Sequence, residues 1–517
     1  MNRLGKVYLV GAGPGDPGLI TLKAVECLKQ AEVVVYDHLV NEEILLHAPQ
    51  ARLFFVGKKG GFHSIAQEEI NHLLIEEAKQ GRIVVRLKGG DPYLFGRGGE
   101  ETEALVKARI PFEVVPGVSS AAAAPAYAGI CLTHRSLSSS VAIVTGHEDP
   151  TKQKSTIDWQ AVARMSTIVV LMGTKNLALI VRKLLDMGKD RNTPCALIHH
   201  GTTANQVTLV APLGEIVEKV TAHPLPPPTV FVVGEVVKLR EIANWFERKP
   251  LFGRGVVITR PKEQADKFAL LLYREGARVL FFPTIKIETL PDEKLFSRAV
   301  DSIESYHWLI FTSANGVEIF FSKFRERGKD LRNLKGIEIC ALGPATAKAI
   351  ERWGLKVDVL PDTFISEGVV EALSRRDMAG KRVLLPRAET ARDVIPEGLS
   401  ALGCQVDVLP LYHSVCANTD RKIFLKWLER GMIDVVTFTS PSTVHNFFKI
   451  MGEFSWPPNI YTASIGPVTA SALTERGLKV HIMAKEHTIE GLMGALGEFF
   501  SRKEKEKCIS LPTDQGG

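Results

Sequence analysis

Residues that could do chemistry gather in the first half of the chain, just after short apolar runs. VVVY (33–36) is followed by Asp37, and LFFV (53–56) by Gly57 and Lys58. IVVRL (83–87) is followed by KGGDP (88–92), IVVL (168–171) by Met172-Gly173, and CALI (195–198) by His199-His200-Gly201. Ligands of open α/β sheets gather at the carboxyl ends of strands, so these residues predict one shared pocket. An aspartate there can hold developing positive charge and accept a proton, and glycines let backbone groups approach a ligand closely. The loop GAGPGDPG (11–18) follows VYLV (7–10) and invites a dinucleotide cradle. Asp16, however, stands where that fingerprint needs its third glycine, and its carboxylate would repel a pyrophosphate. The loop suits a cationic or zwitterionic ligand instead, and a nicotinamide-dependent dehydrogenase becomes the rival reading. No histidine pair has the His-x-x-x-His spacing of a helical metal site, so no metal is expected.

The second half carries paired hydroxyl turns, FTSANGV (311–317) with FTSPSTV (438–444), and Gly343-Pro344-Ala345-Thr346 with Gly466-Pro467-Val468-Thr469. Each follows a strand and opens a helix. Ser and Thr there are good N-caps, and helix N-termini favour anions. Thr312, Ser313, Thr346, Thr439, Ser440 and Thr469 are therefore candidate contacts to an anionic ligand, with hydroxyls facing outward. The turns belong to an internal repeat. GRGVVITRP (253–261) recurs as GKRVLLPRA (380–388), and Arg260/Arg387, Gly276/Gly403, Pro283/Pro410 and Ser313/Ser440 share one separation. Two similar lobes with a cleft between them follow.

The elements that must position these residues are buried, largely parallel strands alternating with amphipathic helices, an α/β pattern. The 517 residues suffice for about three to four domains. A net charge of +6 is too mild for a nucleic-acid binder, and 45% hydrophobic content excludes a disordered chain. Seven scattered cysteines, with no Cys-x-x-Cys, suit reduced thiols and a cytoplasmic setting, and no run predicts a signal peptide or membrane span. Residues 246–254, rich in charge, Pro and Gly, read as a linker, and 501–517 as a disordered polar tail.

YLVGAGPGDPGLITLKA, YDHLV, VGKKGG, VRLKGGDPYLFGRGGEE, VPGVSSA, LTHR and HHGT run in order through residues 5–245. Together they resemble the uroporphyrinogen-III C-methyltransferases of the tetrapyrrole methylase family. The resemblance implies a two-lobed methylase fold over 1–245. It also implies transfer of methyl groups from S-adenosyl-methionine to positions 2 and 7 of uroporphyrinogen III, giving precorrin-2 for sirohaem or cobalamin. Asp37 then stands at the family's proton acceptor and Lys58 at its proton donor. Lys58 could equally bind a substrate carboxylate, since a pKa near 10.4 suits an ammonium poorly to proton transfer at neutrality. Pro14, Gly89, Gly90, Asp91, Leu94, Ser119, Ser120, Met172 and Gly201 would line the methyl-donor pocket. The family also implies a homodimer through this half.

The paired lobes, with VVITRP, LGPATA, VLLPRAE, LPLYHSV and SIGPVTA, resemble uroporphyrinogen-III synthase over about 253–500. That family closes hydroxymethylbilane to uroporphyrinogen III with inversion of ring D. Tyr412 matches a tyrosine suspected of assisting loss of the hydroxyl; the alternative is a packed aromatic between lobes. By analogy, flavodoxin-like lobes would comprise 255–284 with 413–500, and 285–412. A non-catalytic tetrapyrrole-binding module is the rival reading of this half.

Overall fold

The computed structural model describes residues 5–57, 66–148, 155–261, 264–290 and 293–509. Lys58, expected as proton donor or as carboxylate anchor, lies outside them.

The first sheet is built from β1 (Lys6–Gly11), β2 (Val33–Tyr36), β3 (Arg52–Phe55), β4 (Ile83–Lys88) and β5 (Phe112–Val115). All neighbours are parallel, in the order β3-β2-β4-β1-β5. Parallel strands covered on both faces need apolar side chains on both, which explains the continuous Val/Leu runs. The register sets Val10 and Tyr36 against Leu87 and Gly11 against Lys88, so Gly11, Asp37 and Lys88 come to one level at the carboxyl edge.

The second sheet holds β6 (Val141–Thr145), β7 (Thr167–Leu171), β8 (Pro194–His199), β9 (Val207–Pro212) and β10 (Thr229–Val233), in the order β6-β7-β10-β8-β9. Only β6 and β7 run parallel. The expectation of parallel strands is thus corrected here: an apolar run records burial, not direction. The reversal serves the site. Thr229 pairs with His199 and Val230 with Leu171, so the start of β10 lies beside the ends of β7 and β8.

Residues 240–254 are a packed joint, not a free linker. Phe246 and Leu251 are buried, Phe246 packs on Tyr127 and Phe252 at 4.8 and 5.3 Å between ring centroids, and Glu247 accepts from Gln206 and Thr208. The chain continues through β11 (Gly255–Ile258) and β12 (Arg278–Phe281). It then builds a separate sheet from β13 (Ile285–Thr289), β14 (Trp308–Phe311), β15 (Glu338–Ala341), β16 (Arg382–Ala388) and β17 (Gln405–Cys416). It returns through β18 (Val435–Phe438), β19 (Tyr461–Ser464) and β20 (Ile482–Met483), giving sheets ordered β12-β11-β18-β19-β20 and β13-β17-β16-β14-β15. β17 runs through the expected lobe break at 412/413, because its last residues pair with antiparallel β13. The expected disorder from 501 is corrected as far as Ile509, where the final helix, Ile489–Ile509, ends; 510–517 lie outside the described residues.

Candidate functional sites

Two adjoining cavities, of about 580 and 450 Å³, lie between the carboxyl edge of the first sheet and the β7/β8/β10 edge of the second. Asp37, Asp91, Leu94, Ser119 and Met172 line the larger, and Pro14 and Gly201 the smaller. Gly89, Gly90 and Ser120 line both. Every expected donor-site residue therefore falls on one continuous hollow.

The glycines explain its shape. Gly13 and Gly90 form an isolated antiparallel bridge, with Gly90 N donating to Gly13 O at 2.7 Å. Gly90 has φ +70°, and a Cβ there would only touch Ser120 N, at 3.9 Å, in ordinary van der Waals contact. At Gly117, by contrast, a Cβ would lie 2.3 Å from Gly90 O. The Asp91 carboxylate fixes this loop by accepting from the backbone N–H groups of Tyr93, Leu94 and Gly117 at 2.8–3.0 Å. Ser119 caps the helix Ser120–Tyr127, its Oγ accepting from Ala121 N. Strain concentrates on the walls: Phe95, Arg97, Met172 and His200 all have positive φ, a conformation that costs a non-glycine residue about 1–3 kcal/mol. Asp16 is occupied structurally, accepting from Gly18 N and the Tyr127 hydroxyl at 2.7 Å each.

In the wall of the larger cavity lies a buried charge network that motif spacing did not reveal. Asp37 Oδ1 accepts from Leu39 N at 3.0 Å, and its Oδ2 lies 3.3 Å from Arg86 Nη2. Arg86 Nε donates to Glu101 Oε1 at 3.1 Å, and Lys88 Nζ donates to the same oxygen at 2.7 Å. Glu101 is fully buried, and Arg86 and Lys88 are 4% exposed. Burial, then the neighbouring Arg86, push the Lys88 ammonium below its usual pKa, while Glu101 opposes both. Two charged side chains within a buried parallel strand were the available signal, because an interior strand tolerates charge only when it is paired.

In the second half, Ser313 Oγ accepts from Gly316 N at 3.0 Å and Ser440 Oγ from Thr443 N at 3.2 Å, so both serines cap helices at the ends of β14 and β18. Thr312 and Thr439 precede them, half-buried. The outward hydroxyls expected of Thr346 and Thr469 are not found; both are buried, at 4% and 3% exposure. The cause is helical phase. Each helix starts at its proline, which puts the threonine on the third helical residue and on the core-facing stripe. Tyr412 is buried, its hydroxyl 2.8 Å from Ser313 Oγ, and desolvation raises its pKa.

Comparisons with known proteins agree with this division. Residues 6–217 match the family Tetrapyrrole (Corrin/Porphyrin) Methylases, and residues 266–494 match Uroporphyrinogen-III synthase HemD. The chain is 39% identical over 496 residues to the porphyrin biosynthesis protein HemD of Ruminiclostridium josui, covering 96% of this chain and 98% of that one. It is 52% identical over 240 residues to the S-adenosyl-L-methionine-dependent uroporphyrinogen III methyltransferase of Methanosarcina barkeri, covering 46% of this chain and 94% of the relative. The crystal structure of the Thermus thermophilus uroporphyrin-III C-methyl transferase with S-adenyl homocysteine is 43% identical, covers 46% of this chain and all of its own, and superposes with a TM-score of 0.40. The chain belongs to the porphyrin biosynthesis proteins in which a tetrapyrrole methylase, a uroporphyrinogen-III C-methyltransferase, is fused to a uroporphyrinogen-III synthase.

Proposed function

We propose that the second half closes hydroxymethylbilane to uroporphyrinogen III with inversion of ring D. The first half then methylates that product at positions 2 and 7 with S-adenosyl-methionine, giving precorrin-2. The observation that carries the methyl-transfer reading is the continuous hollow between the two sheets, with Asp37 on its wall and Gly90 opening into it. A ligand can lie against bare backbone at Gly90, where no side chain comes within 3.9 Å of the missing Cβ. The bound donor supplies an electrophilic sulfonium methyl group. The protein must align a pyrrole carbon with it and remove the proton that the macrocycle loses, and alignment supplies much of the rate. Asp37 takes that proton. Leu39 N and Arg86 hold its carboxylate at the cavity wall. Lys58 remains either the proton donor or a carboxylate anchor, and a homodimer through this half is part of the proposal.

In the second half, support comes from the hydroxyl turns at the ends of β14 and β18 and from Tyr412, whose hydroxyl Ser313 holds. The test is incubation of the full chain with hydroxymethylbilane and S-adenosyl-methionine. The absorbance of precorrin-2 is expected. Uroporphyrinogen I alone, the product of spontaneous closure, would favour the non-catalytic binding module.

A further inference from the structure

The repeat that relates the two synthase lobes leaves its paired arginines in opposite states. Arg387, in β16, is neutralised: its Nη2 lies 2.5 Å from Asp393 Oδ1 and its Nη1 donates to Arg392 O at 2.9 Å. Arg260, just after β11, has an aspartate at the same relative position, Asp266, but forms no ion pair with it. Its hydrogen-bond partner among the described residues is the side-chain oxygen of Gln264, at 3.0 Å from Nη2. Desolvation depresses the Arg260 pKa, and among the described residues this half-buried guanidinium has no counter-charge. Keeping such a cation is costly unless an anion arrives to pair with it.

Its surroundings show where that anion would sit. β11 and β18 run parallel with Ile258 opposite Thr437, which brings Arg260 level with Thr439 at the carboxyl edge of the sheet. From Arg260 a chain of polar contacts crosses to the other lobe. Gln264 Nε2 donates to Asn315 Oδ1 at 2.8 Å, and Asn315 stands two residues past Ser313, whose Oγ lies 2.8 Å from the Tyr412 hydroxyl. The cation of one lobe is thus joined through Gln264 to the Ser313–Asn315 turn that holds the buried phenol of the other.

We infer that Arg260 is a carboxylate anchor of the synthase cleft, and that Gln264 and Asn315 are positioning residues that tie its occupancy to the placement of Tyr412. The inference rests on the synthase reading and adds to it a specific contact for one of the substrate's carboxylates. A carboxylate on the remaining N–H groups of Arg260 fixes the guanidinium plane. That in turn holds the Gln264 amide on Asn315 and keeps the two lobes together around the substrate.

The test uses the full-length chain with hydroxymethylbilane as probe, measuring KM, kcat and the ratio of type III to type I uroporphyrinogen. Methylation of supplied uroporphyrinogen III by the same preparations controls for folding. R260Q is expected to raise KM at least tenfold with a smaller change in kcat, and R260K to recover part of that loss. Q264A is expected to lower kcat and release more type I isomer while KM changes less. Wild-type KM and isomer ratio in R260Q would overturn the inference alone. A wild-type chain yielding only the type I isomer would overturn the synthase reading and the inference with it.

Discussion

The carboxylate of Asp37 lies 3.3 Å from the guanidinium of Arg86, and that guanidinium is itself sealed in the first sheet against Glu101. A group on the cavity wall is therefore held by a charge that is almost wholly buried. A buried guanidinium offers fixed, planar donors and keeps its charge across the physiological range, which suits it to orienting a carboxylate.

Asp37→Ala should abolish methyl transfer while donor binding persists. The measurement is turnover of uroporphyrinogen III beside calorimetric binding of S-adenosyl-homocysteine. A wild-type rate would remove Asp37 from the mechanism.

Glu101→Gln should destabilise the protein by about 3–5 kcal/mol, because it leaves Arg86 and Lys88 as buried cations without their shared counter-charge. Denaturant unfolding of the full chain reads this as a lower midpoint. Loss below about 1 kcal/mol would mean that water or a rearranged Asp37 compensates.

Gly90→Ala should weaken binding of S-adenosyl-homocysteine at least tenfold with little loss of thermal stability. The new methyl group would stand on the cavity lining, 3.9 Å from Ser120 N, not in the core, although φ +70° adds a strain of about 1 kcal/mol. Unchanged affinity would mean that the ligand lies away from the Gly13–Gly90 bridge.

The contact between the two halves should loosen as pH rises. Tyr273 hydrogen-bonds Glu43, whose carboxyl is pushed up to about 7 by burial and then by Asp16 and Asp266. The folded state then binds a proton that the unfolded chain releases nearer 4.5, so this contribution is complete below that value and is lost as pH rises through about 7. Thermal unfolding of wild type and Glu43→Gln between pH 5.5 and 8 should show a falling midpoint that the variant flattens. Identical slopes would refute the assignment.

Much of the architecture was legible because burial writes itself into apolar runs. The strand ends after VVVY and IVVRL lie on the hollow, and the repeat appears as two sheets joined by crossing segments. Strand direction was not legible in β8, β9 and β10, where a fully buried strand carries the same composition either way. The Arg86–Glu101–Lys88 network escaped because Glu101 lies on a helix whose docking, not its spacing, brings it under the strand. Thr346 and Thr469 were misread because the proline sets the helical phase, and that phase turns the hydroxyls inward.

The joint at 240–254 bears on how such a fusion can be taken apart. Trp245 donates to Ala126 O, Phe246 rests on Tyr127, and Tyr127 holds Asp16 of the glycine loop. Phe252, on the other side, touches Phe246. A gene split at the compositional break would cut through one aromatic cluster and strip a support from the first enzyme's own loop. Splitting it cleanly would require each product to cover the exposed rings anew.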